Sequence, residues 1–95
     1  MATNVIELLG LTPSCTGTNG LVHIGSYDLE TCIQNYKIYI AVDTDERWHF
    51  INVLNKWTDV LIIKIVCYNA SLFIEQIKSI EKELNIKLIK EDGHN

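Results

Sequence analysis

The chain has 95 residues, 47% of them hydrophobic and 21% charged, with a formal net charge of −4. That length holds one domain and leaves no room for a second, and the composition excludes a disordered chain. Lysines and arginines are scattered singly, which argues against direct binding to a nucleic-acid backbone.

Fourteen isoleucines against two phenylalanines and one methionine favour strand-rich packing of β-branched side chains. Cys15, Cys32 and Cys67 are odd in number and widely spaced, with no C-x-x-C. The opening "MATNVIELLG" lacks the basic residue and apolar run of a signal peptide. Both features point to a cytoplasmic protein with free thiols. The longest apolar stretch, Val60 to Cys67, is interrupted by Lys64 and is too short to cross a membrane.

In chain order, residues 2–9 fit a short helix, with Thr3 or Asn4 as its cap and Gly10 as its stop. Residues 11–19 read as a loop. "GLVHI", "YDLETCI" and "YKIYIAVD" then read as a three-stranded meander turning at Gly25-Ser26 and at Gln34-Asn35. The second turn relies on Asn35 to accept a left-handed backbone. Its register would pair Ile33 with Tyr36, Thr31 with Ile38, Leu29 with Ile40 and Tyr27 with Val42, almost all apolar and on one face. The other face collects His23, Asp28, Glu30, Cys32, Lys37, Tyr39, Ala41 and Asp43. A helix over 27–35 is the rival reading, because Leu29, Cys32, Ile33 and Tyr36 also fit helical spacing.

Beyond Asp43 the period becomes helical. Phe50, Val53, Leu54 and Trp57 fall within about 100° of arc, which predicts a helix over 44–56. Residues 59–68 are apolar on both faces apart from Lys64, as in a central strand. Phe73, Ile77, Ile80 and Leu84 line one side of a helix over 71–84, and 86–90 fits a short edge strand before a frayed tail at 91–95. The expected order is α-β-β-β-α-β-α-β. It defines a single α+β domain whose antiparallel meander continues into a mixed sheet, with helices mainly on one face.

Asp43 and Asp45 stand where a strand ends, a position from which carboxylates can hold Mg²⁺. Asp43 with Glu46 also fits capping-box spacing at a helix start. The segment "IYIAVDTDER" resembles the strand-plus-DxD segment of TOPRIM domains, which implies metal-dependent cleavage or joining of nucleic acid. The glutamate of that family has no counterpart in "LVHIG". The order helix, meander, helix, strand is similar to the core of PD-(D/E)xK nucleases and Holliday-junction resolvases. That resemblance implies a metal role for Asp28, but its glutamate and lysine positions hold Ala41 and Asp43. Asp28, Asp43 and Asp45 are thus the metal set of the alternative, enzymatic reading.

Other constellations are simpler. His23 and Asp28 would face each other across a hairpin with no nucleophile beside them, a polar pair on a solvated face. Cys15 lacks the arginine of a phosphate-cradling loop, and no Cys/His spacing matches zinc. On the expected 44–56 helix, Trp48 lies opposite Phe50 and Trp57, beside Asn52 and Asn55, as an outward anchor for a partner. The expected function is therefore a small non-catalytic interaction module without a cofactor. It would bind a protein, or its own copy, through Trp48, Asn52 and Asn55 or through a free 86–90 edge. Immunity proteins, phage-encoded inhibitors and adaptor subunits are similar in size and character.

Overall fold

Alternating apolar residues in "SYDLETCI" and "YKIYIAVD" place one side of each segment in the core, and the chain folds around that pair. The computed structural model describes residues 5–14 and 26–89. Its elements are α1 (Val5–Leu9), β1 (Thr12–Ser14), β2 (Ser26–Ile33), β3 (Tyr36–Asp43), β4 (His49–Asn55), β5 (Leu61–Cys67) and α2 (Ala70–Leu84). The strands form one five-stranded sheet in sequence order, antiparallel throughout.

The α+β class and the β2–β3 hairpin are as the sequence predicts, with Ile33 opposite Tyr36, Leu29 opposite Ile40 and Tyr27 opposite Val42. The left-handed residue of its turn is Gln34, at φ 53°, and not Asn35. Ser26 belongs to β2, whose outer neighbour is Thr12–Ser14, paired from Thr12 opposite Asp28 to Ser14 opposite Ser26. The expected strand at 20–24, with His23, lies outside the described residues, as do Cys15 and the 91–95 tail.

The predicted helix over 44–56 is a tight connection followed by β4. His49, Ile51 and Val53 are buried in phase, a period of two that carries β-branched residues into the core beside Val42, Ile40 and Ile38. The short link from Asp43 to His49 permits a hairpin and no parallel crossover, so the sheet is antiparallel and not mixed.

Residues 86–89 do not form the expected edge strand. Ile86 and Leu88 are buried, but the amides of Leu88 and Ile89 donate to the Glu81 carboxylate, the latter at 2.7 Å. The strand-like alternation is real; its hydrogen bonds go to α2.

Both helices contribute to one core on one face of the sheet, built from Val5 and Leu9 of α1, Ile38, Ile40, Val42, Ile51 and Val53 of the sheet, and Phe73, Ile77 and Ile80 of α2. The helix over 71–84 is found with its expected inward face. Asn69 caps it by accepting from the Leu72 amide at 2.9 Å, and Asn85 ends it in a left-handed conformation at φ 56°. Residue Gly10, at φ 65°, closes α1. No described helix is long and apolar enough to cross a membrane.

Candidate functional site

The acidic turn is held by its own atoms. Asp43 is buried at the end of β3, and its Oδ2 accepts from the amides of Asp45 and Arg47, at 3.1 and 3.2 Å, and from Arg47 Nε at 2.8 Å. Its Oδ1 accepts from a second guanidinium nitrogen at 3.2 Å. The Arg47 guanidinium, with those two amides, holds the carboxyl down at about 2, against an ordinary 3.8 and in opposition to desolvation. Asp43 therefore caps no helix: its side chain closes a hairpin turn, and the Glu46 amide of the expected capping box donates to the Asp43 backbone carbonyl at 2.7 Å. Glu46 takes φ 55° in the same turn.

The oxygens of Asp43 are occupied by a cation and two amides, Asp45 is exposed, and Asp28 lies opposite Ala41 on the β2–β3 ladder. No group of three potential metal ligands occurs among the described residues.

His49 is the residue that sequence reasoning passed over. It is fully buried, with Nδ1 3.3 Å from the Cys67 carbonyl, Nε2 3.5 Å from Glu46 Oε1, and its ring 5.1 Å from that of Phe73. The signal was its place in phase with Ile51 and Val53. Cys67, opposite His49 on β5, is buried too, and burial pushes its thiol up, away from the reactive thiolate. Together these groups lock the end of the sheet against α2.

Trp48, Asn52 and Asn55 are not presented on one helical face. Trp48 is half-buried in the connection before β4, where its carbonyl accepts from the Asp43 amide at 3.0 Å. Asn55 organises the turn after β4, its Oδ1 accepting from the amides of Trp57 and Thr58 at 2.8 and 2.9 Å. Asn52 lies mid-strand on the sheet face away from the helices, between Tyr39 and Lys64, with Oδ1 buried and unpartnered among the described residues.

That helix-free face carries a shallow depression of about 210 Å³ lined by Asp28, Glu30, Tyr39, Ala41 and Phe50. Desolvation first, and then the charge and hydrogen bond of Glu30, raise the Tyr39 hydroxyl above its ordinary range. At the sheet end, Lys37 pairs with Asp59 at 2.6 Å and is raised by that contact. A wider groove of about 500 Å³ on the core side is lined mainly by Leu9, Leu29, Ile33, Leu88 and Ile89.

Among the described residues, exposed apolar side chains gather along and beside β5. This segment is a sheet edge and not the expected central strand, so Lys64 is exposed and needs no buried partner. Along and beside it, Val60 is 60% exposed, Leu61 50%, Ile62 and Val66 45% each, Tyr68 77% and Leu72 46%. The opposite edge, β1, is three residues long and contains Pro13, two devices that discourage pairing. Here the edge is seven residues long, lacks proline, and carries Lys64 as its single charge. No family model, characterised protein or solved structure matches this chain.

Proposed function

We propose that the protein is a small non-catalytic interaction module that binds a protein partner by adding a strand to β5. The observation that carries this reading is a seven-residue apolar edge whose outer side pairs with no other described strand, flanked by exposed Val60 and Tyr68. Such an edge offers main-chain hydrogen bonds for affinity and alternate side chains for specificity. The titratable groups of the acidic turn support the same reading, because Asp43 and His49 spend their hydrogen bonds inside the fold.

The test is capture by immobilised chain, from cell extract and from purified protein of the same sequence. Wild type is compared with an Ile62→Lys/Val66→Lys edge variant of unchanged circular dichroism. Loss of capture in the variant supports the reading. Identical capture by both chains, or none by either, would overturn it.

A further inference from the structure

We infer that His49 and Glu46 hold one proton between them, and that this shared proton is a pH-sensitive latch on the connection between β3 and β4. The His49 ring is fully buried, and each of its nitrogens faces an oxygen. Nδ1 lies 3.3 Å from the Cys67 carbonyl and Nε2 lies 3.5 Å from Glu46 Oε1. A carbonyl only accepts, so Nδ1 must carry a hydrogen to bond there. A neutral imidazole has no second hydrogen, and its bare Nε2 would turn a lone pair toward an ionised carboxylate, which also only accepts. One proton resolves the conflict. Whether it rests on Nε2 or on the carboxyl group, it makes the contact a hydrogen bond, and the two groups titrate as a pair.

The surroundings give that proton leverage. Because the ring is buried, a lone pair left against a carboxylate is not relieved by water. Glu46 sits at φ 55°, a left-handed conformation that a non-glycine residue adopts at a cost. Its side chain is 20% exposed and is the route by which the proton meets solvent.

The other groups around the ring do not compete in the same range. Asp43 is paired with Arg47 and held at about 2, and Asp45 in the same connection is exposed. From β5 comes the Cys67 thiol, which burial pushes up. β3 places Val42 opposite His49, and α2 contributes the apolar ring of Phe73.

With its proton in place, the pair ties the connection to the Cys67 end of β5 through a single imidazole. Once the proton leaves, carboxylate and ring nitrogen repel, and the connection is released from the sheet end. The protonated pair favours the fold, so its contribution is present at low pH and is lost as pH rises.

The test is Glu46→Gln, whose side-chain amide donates to a neutral Nε2 and supplies the contact without the proton. Urea unfolding of both chains from about pH 5 to about pH 8, where histidine changes charge, gives the ratio of their folding constants. His23 and His94 are common to both chains, so the ratio isolates the pair. The ratio of wild type to Glu46→Gln should fall about tenfold or more as pH rises across that range. In wild type the Nε2 nitrogen resonance of His49 should shift with pH, whereas in Glu46→Gln it should stay that of a neutral, hydrogen-bonded acceptor. A constant or rising ratio would overturn the shared proton. So would a wild-type Nε2 that already reads as a bare, unbonded nitrogen at the acid end, a result that does not depend on the variant folding.

Discussion

Glu81→Ala should detach residues 86–89 from α2. In the native fold the Glu81 carboxylate accepts from the amides of both Leu88 and Ile89, with Leu88 buried and Ile89 partly buried. Alanine leaves two donors without their acceptor in a region that water reaches poorly. An orphaned, partly buried donor costs about 1–3 kcal/mol, so the pair should cost about 2–4 kcal/mol. That is a large part of the about 5–10 kcal/mol expected for a domain of this size. Glu81→Gln keeps an amide oxygen in the same place and loses only the charge assistance, so it should cost about 1 kcal/mol. Urea unfolding gives both values, and amide exchange at Leu88 and Ile89 should rise in the alanine variant before global unfolding. If Glu81→Ala and Glu81→Gln both fall below about 0.5 kcal/mol, the carboxylate is not what anchors the segment.

Asp43, held at about 2 in the fold and near 3.8 when unpaired, contributes stability at neutral pH that disappears as pH falls between those values. The difference in melting temperature between wild type and Arg47→Ala should therefore shrink from pH 5 to pH 2; a constant difference would contradict the pairing. Asn69→Ala removes the acceptor of the Leu72 amide and should cost about 1 kcal/mol, or about 4–8 °C in Tm. Gln34→Gly relieves a left-handed non-glycine residue at φ 53° and should raise stability by about 0.5–1 kcal/mol, measured by urea titration. Phe73→Ala opens the core beneath His49 and should cost about 3–5 kcal/mol by the same titration.

The β2–β3 hairpin was legible because a two-residue turn and strict alternation fix the same register independently. β4 was not, since Phe50, Val53, Leu54 and Trp57 satisfy helical spacing as well as they satisfy a strand with its connecting turn. What decides between them is long-range: β3 lies ready on one side, and the Asp43–Arg47 contact closes the connection. For the same reason burial at Ile86 and Leu88 was readable, while their backbone acceptor, on a helix residue earlier in the chain, was not. β5 is apolar on both faces, a pattern that normally marks a strand with neighbours on each side. Its position at the edge follows from its being the last described strand, which no local pattern states. A helical wheel groups Trp48, Asn52 and Asn55, but in the fold they sit in a connection and a strand, and the proposed interaction site is β5 instead.

Amide hydrogen exchange along β5, followed with and without captured protein, tests the edge most directly. Amides of β5 that point away from β4 pair with no other described strand, so they should exchange fast in the isolated chain. Alternate residues between Ile63 and Cys67 should gain tenfold or more protection when captured protein is bound, while α1 stays unchanged. Fast exchange at those amides in the presence of captured protein would contradict an interface built on this strand.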